Sequence, residues 1–155
     1  MPLIDPGQKA LAFALKDQHG KTHRLADYAG RSVVLYFYPK DDTPGCTKES
    51  CDFRDNLRKF SAGKADVLGV SILDEASKLK FAEKYDLNFP LLADEDHAIA
   101  EKYGVWQKKI NYGREYMGIA RTTYLIGPDG KVAKRWVKIN VIGHAEDVLA
   151  AVKAL

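Results

Sequence analysis

Several things are missing from this chain. No apolar run reaches the roughly eighteen residues that a membrane-spanning helix needs. Charge of one sign is not in excess: 24 Lys and Arg stand against 21 Asp and Glu, a net +3 spread along the chain. That balance argues against a nucleic-acid binder, whose footprint is usually far more basic. The densest basic stretch, Lys131-Val-Ala-Lys134-Arg135-Trp-Val-Lys138, reads as a solvated face beside a sheet. His19, His23, His97 and His144 stand apart with no ligand spacing, so no metal site is expected. The opening Met1-Pro-Leu-Ile-Asp-Pro-Gly7 lacks a basic segment followed by an apolar one, so no secretory signal is read. Cysteine is scarce, with 2 in 155 residues. That rules out a disulfide scaffold and suits a reducing cytoplasm, where we expect the protein to act.

Both cysteines fall in Tyr36-Phe-Tyr-Pro39-Lys-Asp-Asp-Thr43-Pro-Gly-Cys46-Thr-Lys-Glu-Ser-Cys51. Val33–Tyr38 is a β-branched and aromatic run, the mark of a strand buried on both faces, and Pro39 ends it. Thr43-Pro44 reads as an N-cap followed by proline at the first helical position, where the missing N–H is no loss. Cys46 is then the third helical residue, beside the cap. A glutamate would complete a capping box there. Unpaired N–H groups and the helix dipole favour an anion at that point, so a reactive thiolate is expected.

Cys46, Ser50, Phe53, Leu57 and Phe60 recur at spacings of four and three, one face of a single amphipathic helix. Cys51 lies roughly 140° round from Cys46, with a Cα separation of roughly 8.7 Å. A disulfide needs about 4.4–6.8 Å, so the pair can bond only if the helix first unwinds.

Pro39-x-x-x-Thr43-x-x-Cys46 resembles the active-site signature of the peroxiredoxins. The five-residue cysteine spacing is similar to that of their bacterioferritin-comigratory (Q-type) subfamily, with two cysteines in one chain. The likeness extends through Phe13-x-Leu15, Phe81–Tyr85, Phe89–Asp94, Tyr103-Gly-Val105 and Gly118–Tyr124; Ser71-Ile-Leu-Asp74 stands where Ser-x-Asp is more usual.

The resemblance implies a thiol peroxidase acting on hydrogen peroxide and organic hydroperoxides. Cys46 would attack the O–O bond, and Thr43 would hydrogen-bond thiolate and substrate. Pro39 would shield the pocket, Arg121 would hold the thiolate and polarise the peroxide, and Cys51 would resolve the sulfenic acid. Thioredoxin or a glutaredoxin system would reduce the disulfide, the protein would act as a monomer, and no cofactor is called for.

A thiol–disulfide oxidoreductase would share the architecture, but it should show Cys-x-x-Cys, and position 49 is Glu. A peroxide sensor using the same oxidation as a signal is the rival outside enzymes.

The remaining pattern predicts one α/β domain over 1–155 in a thioredoxin-like order, a central mixed sheet flanked by helices with an N-terminal hairpin and an inserted segment; the resemblance implies the peroxiredoxin form of that fold. The hairpin is Ala12–Lys16 with Thr22–Arg24. Ala65–Ser71 reads as a buried strand, Asp74 as the cap of a helix through Tyr85, Phe89–Leu92 as a strand and Asp96–Tyr103 as a short helix. Tyr116–Ile126 and Lys131–Val137 pair across the turn Pro128-Asp-Gly130. His144 starts a last helix whose apolar face runs from Ala145 to Leu155.

Overall fold

A hairpin of β1 (Ala14–Lys16) and β2 (Thr22–Arg24) opens the computed structural model, which describes residues 2–155 and leaves Met1, where the N-terminal reading begins, outside. β3 (Ser32–Phe37), α1 (Pro44–Asp55), α2 (Leu57–Ala62), β4 (Ala65–Ser71) and α3 (Glu75–Tyr85) follow. Then come β5 (Leu91–Ala93), α4 (Ala98–Lys102), β6 (Trp106–Asn111), β7 (Arg114–Ile119), β8 (Thr122–Ile126), β9 (Val132–Trp136) and α5 (His144–Lys153). Seven strands form one sheet in the order β2-β1-β5-β4-β3-β8-β9, while β6 and β7 pair apart from it. β3, β4 and β5 run parallel, and β8, β9 and β1 join antiparallel, giving the mixed thioredoxin-like sheet that was expected.

β3 is central because every residue in it can be buried. Val34, Tyr36 and Tyr38 point into one core with Cys46, Phe53, Phe60, Phe81 and Val148. Val33, Leu35 and Phe37 point into the other with Leu68, Leu92, Tyr103 and Tyr124. Alternation along one strand thus feeds two hydrophobic layers. Asp74 caps α3 as read, accepting from the Ser77 N–H at 2.9 Å.

Four local expectations need correction. The cysteine helix is two helices, not one. Asn56 donates its side-chain amide to the Asp52 carbonyl, and its own N–H goes to Phe53. An Asn that competes for helix carbonyls in this way breaks the run. The stretch Tyr116–Ile126 is likewise two strands: β7 pairs with β6, the chain turns at Ala120-Arg121, and β8 joins β3. β6 itself escaped notice because its Gln-Lys-Lys centre is largely solvated and shows no alternation; the turn at Tyr112-Gly113 has positive φ at both residues (52° and 75°). Leu155 lies beyond the end of α5 and is 58% exposed.

Gly69 of β4 shows how tightly the central strands constrain composition. A Cβ there would sit 2.8 Å from the Tyr36 ring and 3.1 Å from Leu91. Gly69→Ala should destabilise the protein by about 1–3 kcal/mol through overpacking. Thermal melting should show a drop of several degrees.

Candidate active site

The loop after β3 delivers the site. Pro39, half-buried, follows Tyr38 at the strand's end, and α1 begins at Pro44 with Thr43 in extended N-cap geometry (φ −101°, ψ 155°). Proline stands at the first turn as the sequence indicates. Cys46 is 1% exposed in that turn, and Glu49, one turn on, is equally buried. Among the described residues both cysteines are free thiols.

The cap differs from expectation. The Thr43 hydroxyl makes no bond to a helix N–H; it donates to the Lys40 carbonyl at 2.9 Å. Its proton is engaged in the loop, and its lone pairs remain available to accept from an incoming O–H.

Arg121 enters from the β7–β8 junction, and the strand break puts it there. Its Nη2 donates to Cys46 Sγ at 3.3 Å, and Nη1 donates to Glu49 Oε1 at 2.7 Å. Burial works against the guanidinium's charge, but Glu49 and Cys46 outweigh it and hold the group above its ordinary value. Gly45 makes the approach possible, because a Cβ there would stand 3.1 Å from Nη2. Lys109 of β6 is pushed below its ordinary value by burial and then by Arg121, while the Cys46 sulfur opposes them.

Cys51 is half-buried, and burial raises its thiol above the ordinary value. Both sit on α1, a turn and a half apart, so the intact helix keeps their sulfurs from meeting.

Sequence reasoning missed Glu49, which was noted only as the residue that spoils a Cys-x-x-Cys. It is what holds the Arg121 fork, and its spacing of three from Cys46 places both on one helix face. Burial pushes its carboxyl up to about 7 against the pull of Arg121. Its Oε2 has no hydrogen-bond partner among the described residues, and His144 Nε2 lies 3.9 Å away. Burial pushes His144 down to about 4, so near neutral pH it is uncharged and pairs with Thr123 Oγ1 at 2.9 Å. No cluster of His, Cys, Asp or Glu among the described residues could hold a metal. The groove of about 360 Å³ lined by Leu25, Tyr28 and Pro128 lies at the opposite end of β3, beside Val33, and takes no part in this chemistry.

The AhpC/TSA family model matches residues 6–135. The chain belongs to the AhpC/TSA family. Within that family it is 48% identical to peroxiredoxin Bcp of Bacillus subtilis, over 97% of this chain and 96% of the relative. The solved Xanthomonas campestris bacterioferritin comigratory protein is 40% identical, with a TM-score of 0.90 over 97% of this chain and 98% of that one. A mutant of Xylella fastidiosa PrxQ is 35% identical, with a TM-score of 0.94 over 99% and 98%. As a member of these AhpC/TSA peroxiredoxins, the chain is a thiol peroxidase of thioredoxin-like fold.

Glu49 and His144 bias stability in opposite directions with pH. Glu49 binds its proton more tightly folded than unfolded, so its contribution is full below about 4.5 and is lost as pH rises to about 7. His144 binds its proton less tightly folded, so stability rises with pH between about 4 and 6.5. Each slope is at most about 1.4 kcal/mol per pH unit, and between pH 4.5 and 6.5 they oppose. Asp52 adds to the rise of Glu49, Asp147 opposes the fall of His144, and Arg121 lowers both. Denaturant melts should therefore show Glu49→Gln gaining stability with pH relative to the parent over that window. His144→Asn should lose it. Parallel profiles for all three proteins would contradict this assignment.

Proposed function

We propose that Cys46 is the peroxidatic cysteine and that Arg121, Thr43 and Pro39 build its pocket. The observation that carries this reading is the Arg121 contact to the Cys46 sulfur at 3.3 Å, fixed from behind by Glu49. In the first step the thiolate attacks the distal oxygen of a hydroperoxide. An S–O bond forms, the O–O bond breaks, and the leaving alkoxide or hydroxide takes up a proton as alcohol or water. Negative charge moves from sulfur to the leaving oxygen, and a guanidinium already oriented follows it without reorganising. Thr43 accepts from the hydroperoxide O–H and aims it, while Pro39 keeps bulk water off the sulfur.

The Cys46 sulfenic acid is then attacked by the Cys51 thiol; an S–S bond forms and water leaves. Unwinding of α1 precedes this step. An external dithiol, thioredoxin or a glutaredoxin system, returns both thiols by exchange. The whole chain acts as one domain and as a monomer in the cytoplasm; no described helix is long and apolar enough to cross a membrane. Organic hydroperoxides are included among the substrates, supported by the alkyl peroxide reduction of the Xanthomonas campestris relative.

Stopped-flow loss of the Cys46 thiol to hydrogen peroxide tests the reading. The reduced parent should react orders of magnitude faster than free cysteine and end as a Cys46–Cys51 disulfide. Arg121→Met should slow the step about 10²–10³-fold, the usual consequence of losing one preorganised donor. Cys51→Ser should keep the fast first step and accumulate sulfenic, then sulfinic, acid. A parent no faster than free cysteine would falsify the proposal.

A further inference from the structure

A second buried charge pair lies next to the peroxide site and takes no part in the chemistry described so far. Asp41, in the loop between β3 and α1, and Lys78 of α3 have side chains 2% and 0% exposed. Asp41 Oδ1 accepts from the Tyr38 hydroxyl at 2.6 Å and from Ser71 Oγ at 3.5 Å. Its Oδ2 accepts from Ser77 Oγ at 2.8 Å and from Lys78 Nζ at 3.4 Å. Lys78 also donates to Ser71 Oγ at 2.7 Å and to the Leu73 carbonyl at 3.0 Å. Every strong polar position of the pair is used.

The next residue is tied to the same helix. Asp42 stands in the left-handed region (φ 58°), unusual for a non-glycine residue, with its carboxylate on Lys84 Nζ at 2.8 Å and the Tyr85 hydroxyl at 2.7 Å. α3 therefore grips two consecutive carboxylates of the loop through four side chains. None of these bonds reaches the Cys46–Cys51 turns, so all can persist while α1 unwinds.

Stability alone is a poor reason for such a pair. A buried ion pair is often no better than an apolar pair of similar volume, because desolvation offsets the attraction. What it supplies is a fixed position, since the oxygens of Asp41 are directed by donors from α3, from β4 and from Tyr38 just past the end of β3.

We propose that Asp41 and Lys78 are positioning residues for the peroxidase reaction. They hold the Lys40–Thr43 loop, and with it the Thr43 side of the pocket, in register with Arg121 through both the folded and the unwound states of α1. The inference rests on the peroxidase reading above. It assigns a part of α3 to catalysis, although α3 contributes no atom to the reacting centre.

The test compares two reactions of Cys46 in the Cys51→Ser background, with thermal melts alongside. Hydrogen peroxide needs the aligned pocket, whereas iodoacetamide alkylation reports only thiolate reactivity and access. Asp41→Asn should lower the peroxide rate at least tenfold and change alkylation less than twofold, in protein that is fully folded at the assay temperature. Lys78→Met should do the same, and the double variant should be no slower than the worse single one, as expected of residues acting as a unit. Ser77→Ala removes one donor from the same carboxylate and leaves the ion pair intact; it should slow the peroxide step two- to fourfold even if the pair variants fold poorly. Peroxide rates within twofold of the parent in folded Asp41→Asn or Ser77→Ala would overturn the proposal, as would equal losses in both reactions. A parent no faster than free cysteine would sink the peroxidase reading and the anchor with it; a fast parent with an equally fast variant sinks the anchor alone.

Discussion

The Arg121 guanidinium is shared between a sulfur and a carboxylate, and much of the architecture exists to make that sharing possible. A cation is expensive to bury and is tolerated when its donors are matched. Glu49 takes one nitrogen and Cys46 the other, so the guanidinium has a carboxylate partner that does not depend on the sulfur. This division keeps the arginine held by Glu49, whatever the state of the sulfur, for as long as α1 is folded. The strand break at Ala120-Arg121 and the bare backbone of Gly45 belong to the same constraint, one supplying direction and the other clearance.

The sequence was most informative where one physical demand dominated. Val33–Tyr38 could only be a strand buried on both faces, and Thr43-Pro44 could only open a helix. The relation of Cys46 to Cys51 followed from helical geometry. Less legible were features in which two demands competed. Asn56 is compatible with a helix until its side chain is seen taking the Asp52 carbonyl. The apolar stretch through Tyr124 concealed a change of partner strand, because a β-rich pattern does not record which strand it pairs with. Glu49 reads only as the residue that spoils a Cys-x-x-Cys, and Lys78 draws no reading at all. Only their partners, Arg121 and Asp41, brought from 72 and 37 residues away, made burial tolerable, and pairings at such separations leave no local periodicity to read.

The two charge pairs also divide the labour of the loop. The Glu49–Arg121 pair joins α1, the part that unwinds in the proposed cycle, to the β7–β8 junction. The Asp41–Lys78 pair joins parts that can both stay still. A single polar network spanning both would couple helix opening to loss of the loop, whereas two separate ones let the first open while the second holds.

The placement of both cysteines on one rigid helix has an electrochemical consequence. In the proposed cycle, joining their sulfurs gives up contacts that α1 makes when folded, among them the Phe53 stack on Tyr36 at 4.7 Å between ring centroids and the Ser50–Tyr36 hydroxyl bond. That loss falls on the oxidised form alone, so the dithiol is favoured by the same amount. For a two-electron couple, each roughly 1.4 kcal/mol of helix packing moves the midpoint potential about 30 mV more positive. A disulfide raised in this way is readily emptied by a dithiol of lower potential. In that cycle the stiffness that delays resolution works in favour of turnover at the reductive step.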